Sequence, residues 1–222
     1  MNKNCVLFFI KYPEPGRVKT RLAEESTPEQ AAAFYRAFVE EKLAELEAGV
    51  DGDVVVFFTP ESRRDAVRDW LGKGRRYVAQ KGADLGRRME NGFREAFFMG
   101  YQRGVLVGSD IPGLSPGIVN LGLRCLEPDR ASLGPAGDGG YYLIGFHRTG
   151  FSPEVFRTGE WSTPGVYERA FNVLAGTGLA FTELERLDDM DTMEDVETML
   201  ALGELGPLKG RTLEMARKLV GK

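Results

Sequence analysis

The chain has 222 residues, of which 42% are hydrophobic and 28% charged, so it has the composition of a globular protein with one large or two small domains. Its 29 Lys and Arg against 33 Asp and Glu give a net charge of −4, which argues against a nucleic-acid binder. No apolar run approaches the roughly 20 residues of a membrane span, and the amino terminus lacks a secretory pattern. We therefore expect a cytoplasmic protein.

Cysteine and histidine offer little chemistry. Cys5 and Cys125 lie in a predicted strand and a predicted helix, without the spacing of a disulfide framework or a zinc site, and we expect buried thiols. The single histidine, His147, follows an apolar run, where a structural role is favoured over a catalytic one. Catalysis would therefore depend on carboxylates, cations and metal ions.

Short apolar runs bounded by turn residues predict seven strands. These runs are 4–10, 53–59, 76–80, 104–108, 130–134, 140–146 and 179–186. Helical patterns lie between most of them, with start signals at Thr27-Pro28, Ser115-Pro116, Thr163-Pro164 and Pro60-Glu61. This alternation predicts an α/β protein with a mainly parallel sheet covered on both faces. No repeat or linker divides the chain, so we expect a single domain over 1–222.

Ligands of open parallel sheets bind beyond the carboxyl ends of the strands, which directs attention to the segments that follow them. After the first strand, KYPEPGRVKTR places four cations beside two prolines and a glycine. Gly16 permits a tight turn, and Lys19 and Arg21 arrive where a helix would begin. This pattern favours phosphate binding over a solvated basic turn.

Two acidic segments are candidates for a metal site. In VLVGSDIPGLSP, Asp110 follows a buried strand and is placed either to hold Mg²⁺ or Mn²⁺ or to cap the next turn. In LDDMDTMEDVETML, Asp188, Asp189 and Asp191 precede a helix that Thr192 could cap. One of them completes a metal site with Asp110, or all three serve only the helix dipole.

Two glycine-rich loops complete the set. GPAGDGGYYLIGF carries Asp138 in a turn dense in glycine, which indicates unusual backbone angles or a ligand against the main chain. QKGADLGRRM is either a polar linker or a loop that contacts substrate.

Six segments in order, FIKYPEPGRVKTRL, QKGADLGRRM, VGSDIPGLSP, GPAGDGGYYLIG, EWSTPGV and DMDTMEDV, resemble the bacterial DUF2064 family of the glycosyltransferase-A, or nucleotide-diphospho-sugar transferase, superfamily. The resemblance runs from residue 5 to about residue 200. It implies a single three-layer α/β/α sandwich whose nucleotide-binding half comes first.

The resemblance also implies roles for individual residues. It places Lys11, Gly16, Lys19 and Arg21 on a phosphate-side loop and Asp110 and Asp191 on the metal acids. The catalytic candidate, Asp138, is our own hypothesis from the glycine-rich turn: it would orient the sugar or act as base toward the acceptor hydroxyl. The residues expected to bind nucleotide or substrate are Lys11, Gly16, Lys19, Arg21, Gln80, Gly82, Arg88, Ser109, Gly139 and Gly140.

Three functions follow from these residues. The first is a glycosyltransferase that uses a divalent cation, a nucleotide-sugar and a small acceptor. The second is a nucleotidyltransferase, because the basic first loop resembles those that grip a triphosphate and the acid after the fourth strand is a single SD rather than DxD. The third is a nucleotide-binding module without catalysis. The base, the sugar, the acceptor and the oligomeric state stay open.

Overall fold

The computed structural model describes residues 3–157, 159, 161, 163, 165–203 and 206–221. Its strands form one seven-stranded sheet. They are β1 (Asn4–Lys11), β2 (Asp53–Thr59), β3 (Arg76–Ala79), β4 (Arg103–Val107), β5 (Arg130–Pro135), β6 (Tyr141–His147) and β7 (Ala180–Glu183).

Helices alternate with these strands. They are α1 (Thr20–Glu24), α2 (Pro28–Gly49), α3 (Arg64–Leu71), α4 (Leu85–Phe98), α5 (Pro116–Arg124), α6 (Val166–Gly176), α7 (Met193–Ala201) and α8 (Gly210–Val220). In the described part of the chain, none of the helices combines the length and apolar content that crossing a bilayer requires.

The strand order is β3-β2-β1-β4-β6-β5-β7. Strand β1 pairs in parallel with both β2 and β4, whereas β6 runs antiparallel to β4 and β5. The chain winds outward from β1 to β3 and then returns to place β4 on the other side of β1. The strand order thus reverses between β1 and β4, where the loops that follow two adjacent parallel strands leave room for a ligand.

The alternation of side chains along β1 builds a core on both faces of the sheet. Val6, Phe8 and Ile10 belong to one buried cluster with residues of α2, α3 and α5. Cys5, Leu7 and Phe9 belong to a second cluster with residues of α4 and α6. The sheet is thus covered by helices on both sides, and the three-layer α/β/α sandwich is confirmed.

A third buried cluster lies outside the sheet. Phe34 and Phe38 of α2 pack there against Val196 of α7 and Ala216 and Leu219 of α8. Helix α8 packs against both α2 and α7 and so connects the two. The acidic segment before α7 thereby lies at the same edge of the sheet as the loop that follows β1.

The structure confirms all seven strands within a few residues and most of the helix starts. Thr27 and Gln30 form the predicted capping box of α2, and Ser115 caps α5. Pro60-Glu61 opens a 3₁₀ turn, Glu61–Arg63, that continues into α3.

Three local expectations were wrong or incomplete. Helix α6 is preceded by Gly165 in a left-handed conformation rather than capped by Thr163, whose hydroxyl instead accepts a hydrogen bond from Arg169; Pro164 lies outside the described residues. Cys5 is buried as expected, but Cys125 is only partly buried, directly after α5. Helix α8 was not predicted, although its buried Thr212, Ala216 and Leu219 have helical spacing.

Candidate functional site

A cleft of about 380 Å³ opens at the carboxyl ends of β1 and β4. Its walls come from the first loop, the start of α4, the loop after β4, and β6. Eight of the predicted site residues line it: Lys11, Lys19, Arg21, Gln80, Arg88, Ser109, Asp110 and Asp191. These eight residues come from four chain segments, 11–21, 80–88, 109–110 and 191, which therefore meet in one cavity.

The first loop turns sharply before it enters the cleft. Arg17 N–H donates to Glu14 O at 3.0 Å, and between them Pro15 is followed by Gly16 at φ 75°. Proline and then a glycine of positive φ are the central residues of a type II turn. Gly16 therefore shapes the loop, and it does not line the cleft in the described part of the chain.

Lys19 lies at the centre of the site. Its Nζ lies 2.5 Å from Asp110 Oδ1 and 2.8 Å from Asp191 Oδ1, and it donates to Met190 O at 2.7 Å. The side chain is 2% exposed, whereas the two carboxylates are 46% and 45% exposed. Burial alone would lower the pKa of Lys19, but the carboxylates of Asp110 and Asp191 outweigh it and raise that pKa. Lys19 is therefore a charged ammonium that bridges two acids.

The backbone of Lys19 is also unusual. Among the described residues other than glycine, it is the one with positive φ, at φ 46° and ψ 46°. A left-handed conformation is unfavourable for a residue with a Cβ atom and persists where the surroundings impose it. The bonds to Asp110, Met190 and Asp191 supply that constraint.

Local hydrogen bonds hold the acids in place. Met190 N–H donates to Asp110 O at 3.1 Å, which ties the acidic segment to the loop after β4. Thr192 caps α7 as predicted, and Asp195 Oδ2 accepts from the amides of Asp191 and Thr192 at 2.8 and 2.7 Å. The capping box thus fixes the backbone that carries Asp191.

Asp189 is a partly buried acid in this cluster, which the sequence offered beside Asp188 and Asp191 as a partner of Asp110. Its Oδ2 is buried without a hydrogen-bond partner in the part of the chain that the structure describes. Burial, followed by the nearby carboxylates of Asp138, Asp191 and Asp110, raises the pKa of Asp189 to about 7. The negative charge here exceeds what the Lys19 ammonium offsets.

Cations surround the open part of the cleft. Lys11, Arg17 and Arg21 are exposed, while Arg88 is half-buried and its Nε donates to Gly82 O at 3.2 Å. At Gly82, with φ 148°, a Cβ would lie 2.7 Å from Arg88 N. Gly82 therefore allows α4 to pack close to the loop and helps to position Arg88, although it does not line the cleft in the described residues.

Polar groups behind the cleft connect its walls. Tyr35 of α2 is buried, and its hydroxyl contacts both Lys11 N–H and Ser109 Oγ. Gln80 Nε2 donates to Ile10 O at 3.1 Å and to Phe57 O at 2.9 Å, so its amide nitrogen bridges β1 and β2. On the same helix as Tyr35, the Lys42 ammonium donates to Pro112 O and Leu114 O of the loop after β4.

The glycine-rich loop forms the hairpin between β5 and β6. Asp138 is exposed, and its Oδ1 accepts from Gly140 N–H at 2.8 Å. Gly139 has φ 87°, which explains glycine at that position. Gly137 N–H donates to Leu187 O, so the loop pairs with the segment that leads to Asp189. Asp138, Gly139 and Gly140 thus lie beside the acids but do not line the cleft in the described residues.

Sequence reasoning missed several residues of the cleft. Arg17 was counted among the cations without a role, and Thr20, Tyr35, Met89, Tyr141 and Tyr142 were not singled out. Tyr35 lies inside a long helical pattern, where an aromatic residue reads as core. Its approach to Ser109 depends on how α2 packs on the sheet. His147, by contrast, ends β6, and its ring nitrogen contacts Thr149 Oγ1 at 2.8 Å, away from the cleft lining.

The acids fit a divalent cation that arrives with a phosphate ligand. Among the described residues no group of three or more His, Cys, Asp or Glu side chains forms a metal centre by itself. Asp110 and Asp191 nevertheless converge on one cationic atom, Lys19 Nζ, and the buried Asp189 Oδ2 has no partner there. Mg²⁺ and Mn²⁺ are commonly held by one or two carboxylates, with phosphate oxygens and water as the other ligands.

Residues 42–163 match the model of a family described as an uncharacterized protein conserved in bacteria, DUF2064. The crystal structure of a "putative nucleotide-diphospho-sugar transferase" from Desulfovibrio desulfuricans G20 is 37% identical, with a TM-score of 0.93 over 100% of this chain and 96% of that chain. No curated protein sequence matches this chain significantly.

More distant structures share the fold. A cytidylyltransferase from Leptospira borgpetersenii serovar Hardjo-bovis is 18% identical, with a TM-score of 0.59 over 100% of this chain and 93% of that chain. A nucleotidyl transferase from Methanothermobacter thermautotroptrophicus is 16% identical, with a TM-score of 0.52 over 88% of this chain and 91% of that chain. The fold is therefore that of the nucleotide-diphospho-sugar transferases and cytidylyltransferases, as the resemblance implied.

Proposed function

We propose that this chain, which belongs to the DUF2064 family, is a transferase that uses a nucleotide-activated donor and a divalent cation, and that it transfers a sugar to a small acceptor. The observation that carries the proposal is the convergence of Asp110 and Asp191 on Lys19 at the point where the strand order reverses. There the acids face a cleft whose open side is lined by cations. This combination suits a diphosphate bridged to the protein by a metal ion.

The cationic side chains that line the cleft bind the phosphates of the donor. Lys11, Arg17, Arg21 and Arg88 neutralise the charge that develops on the leaving group as the bond to the sugar breaks. Asp110 and Asp191 would hold the cation, which supplies Lewis-acid stabilisation of the phosphate oxygens when bound. Lys19 keeps these two carboxylates together against their mutual repulsion.

Asp138 is proposed for the acceptor side. Its Oδ1 is held by the Gly140 amide, and the exposed carboxylate stands on a hairpin that pairs with the acidic segment. From this position it would orient the sugar or accept the proton of the acceptor hydroxyl. Gly139 and Gly140 belong to the same turn and support Asp138.

One observation favours a second candidate, nucleotidyl transfer with release of pyrophosphate. Among the described residues, the cations Lys11, Arg17, Arg21 and Arg88 line the cleft in addition to the paired Lys19. This number suits the charge of a triphosphate better than that of a diphosphate. The fold also occurs in a cytidylyltransferase and a nucleotidyl transferase.

Thermal stabilisation tests the proposal first. Nucleoside triphosphates and nucleotide-sugars are each added at saturating concentration, with Mn²⁺ and with EDTA. A ligand at about 100 times its Kd stabilises the folded state by about 2.7 kcal/mol, which raises Tm by several degrees. We expect stabilisation that requires Mn²⁺. No stabilisation by any of these ligands would contradict the proposal.

The products then separate the two reactions. Glycosyl transfer releases a nucleoside diphosphate or monophosphate from a nucleotide-sugar. Nucleotidyl transfer consumes a nucleoside triphosphate and releases pyrophosphate. Binding without either product would indicate the module without catalysis.

A further inference from the structure

Tyr35 joins two loops of the cleft from inside the core. It is 3% exposed, and its hydroxyl accepts a hydrogen bond from Lys11 N–H at 3.0 Å. The same hydroxyl lies 2.7 Å from Ser109 Oγ, and Ser109 is 4% exposed. Tyr35 therefore connects the carboxyl end of β1 with the carboxyl end of β4, where the strand order reverses.

The direction of the hydrogen bond between Tyr35 and Ser109 follows from counting protons. A phenol has one proton, and its oxygen already accepts from Lys11 N–H. If Ser109 donated to Tyr35, the phenol proton would be buried without an acceptor in the described part of the chain. If Tyr35 donates to Ser109, each polar group of the phenol has a partner, as buried polar groups generally do.

The surroundings keep that proton on Tyr35. Burial, together with the negative charge of Asp110, raises the pKa of the phenol. Tyr35 is therefore a neutral donor over the whole physiological range of pH.

Because Tyr35 donates to Ser109 Oγ, the proton of the Ser109 hydroxyl is left for another partner. Among the described residues the Ser109 hydroxyl makes no hydrogen bond except with Tyr35, and Ser109 lines the cleft directly before Asp110. A hydroxyl that accepts one hydrogen bond is polarised and becomes a better donor in the next. The chain of bonds from the Lys11 amide through Tyr35 to Ser109 thus ends at the cleft.

We propose that Tyr35 is a positioning residue that fixes the Ser109 hydroxyl as a hydrogen-bond donor to a phosphate oxygen of the substrate. The inference rests on the proposed binding of phosphate in this cleft. Phosphate is the acceptor that fits, because Lys11, Arg17, Arg21 and Arg88 line the same cavity. A neutral donor among these cations makes a directional hydrogen bond, which fixes the orientation of a phosphate that charge alone would hold in several orientations.

A double-mutant cycle tests the inference. Binding of inorganic pyrophosphate in the presence of Mg²⁺ is measured by calorimetry for wild type, Tyr35→Phe, Ser109→Ala and the double variant. We expect each single variant to weaken binding about tenfold, as is typical for a hydrogen bond to a charged group. The double variant should bind no more weakly than either single variant, because each single variant already disables the hydrogen bond from the Ser109 hydroxyl to phosphate.

Tyr77→Phe is the matched control. The Tyr77 hydroxyl donates to Gly72 O at 2.6 Å, and Tyr77 does not line the cleft in the described residues. Its removal should leave the Kd for pyrophosphate unchanged. Tyr35→Phe keeps the ring that packs in the core, and circular dichroism verifies that the variants fold.

The outcomes separate this inference from the proposed function. Additive losses, with the double variant about a hundredfold weaker than wild type, would show that Tyr35 acts independently of Ser109 and would overturn the inference. Unchanged affinity of Ser109→Ala, with wild type still binding pyrophosphate, would overturn it while leaving the phosphate cleft intact. If wild type bound neither pyrophosphate nor any nucleotide, the proposed function would fall, and the inference with it.

Discussion

Lys19 combines a left-handed backbone, a buried ammonium and two carboxylate partners. It was expected to face the phosphates, yet its side chain is 2% exposed and is bonded to Asp110, Asp191 and Met190 O. Its positive charge is therefore committed to the acids. The exposed cations of the cleft are better placed to meet a phosphate first.

Lys19→Met should lower the free energy of unfolding by about 2 kcal/mol at pH 7. The substitution leaves two adjacent carboxylates without their counter-charge, and their half-exposure reduces the larger cost of a fully buried pair. Urea denaturation in EDTA measures the change. Arg17→Met removes an exposed cation of the same loop and serves as the control. An equal loss in both variants would mean that the ion pairs of Lys19 contribute nothing.

If Asp110 holds the cation as we propose, Asp110→Asn should reduce turnover about a hundredfold, because a lost charged metal ligand removes roughly 3 kcal/mol of transition-state stabilisation. The dependence of nucleotide binding on Mn²⁺ should weaken as well, which a Mn²⁺ titration at fixed nucleotide measures. Asp188→Asn, at an exposed acid of the same cluster, is the control. Equal Mn²⁺ dependence in wild type and Asp110→Asn would exclude Asp110 as a ligand.

Asp138→Asn should slow transfer by at least about a hundredfold while nucleotide affinity stays the same, because the general base catalysis that we propose for Asp138 contributes roughly this much. Asparagine keeps the oxygen that accepts from Gly140 N–H, so the hairpin should retain its shape. Single-turnover kinetics and a nucleotide titration give the two quantities. A slower transfer that is explained entirely by weaker nucleotide binding would exclude a role of Asp138 toward the acceptor.

At the scale of elements, helices hold the loops of the cleft. From α2, Tyr35 reaches the loops after β1 and β4, and Lys42 binds two carbonyl groups of the loop after β4. From α4, Arg88 lines the cleft, whereas Glu90 is buried and does not line it in the described residues. The buried Glu90 bonds Arg94 of its own helix and Arg157 of a distant segment. The loops are thus held by side chains of rigid elements.

Glu90→Gln should lower the free energy of unfolding by about 2 kcal/mol at pH 7. Arg157 and then Arg94 outweigh burial and lower the pKa of Glu90 to about 2, below its usual 4.5. Because the pKa is lower in the folded state, this contribution is present above about pH 4.5 and is lost as the pH falls towards 2. Arg94 and Arg157 are partly exposed, and solvent screening therefore reduces the contribution of these ion pairs to the free energy of unfolding.

Denaturation of wild type and Glu90→Gln between pH 3 and pH 8 measures this effect. The difference between the two proteins should be constant from pH 8 to about pH 5 and should shrink below that. Glu95→Gln, at an exposed position of the same helix, is the control. A difference that does not change with pH would show that the charge of Glu90 is irrelevant and that only its packing matters.

At the scale of the whole molecule, one sheet organises the site. Lys19, Asp110 and Asp191 lie on three separate segments, and they meet because β4 pairs with β1 and because α8 joins α7 to α2. A change in either packing would separate the acids from the ammonium. The geometry of the site therefore depends on the folding of the whole sheet and its helices.

We predict that the chain unfolds as a single domain in one cooperative transition. Its strands belong to one sheet, and the buried clusters on the two faces share that sheet. Differential scanning calorimetry should give a van't Hoff enthalpy equal to the calorimetric enthalpy. Two resolved transitions, or a van't Hoff enthalpy far below the calorimetric one, would contradict the single domain.

Local signals predicted the elements well. The apolar runs gave all seven strands, and the cap residues Thr27, Ser115 and Thr192 begin helices as expected, since capping depends on neighbours within a single turn. The signal at Thr163 was misleading because the chain there uses Gly165 with positive φ instead. Nothing local distinguishes these two possibilities.

The sequence by itself determined the alternation of strands and helices, the turn at Gly16 and the placement of charged residues at the ends of strands, because each depends on residues close together in the chain. Only the tertiary structure decided that Lys19 bridges Asp110 and Asp191, that Tyr35 reaches Ser109, and that Asp138 lies beside the cleft rather than in its wall. These contacts join residues 74 to 172 positions apart. Strand order and helix packing set such distances, and no local pattern encodes them.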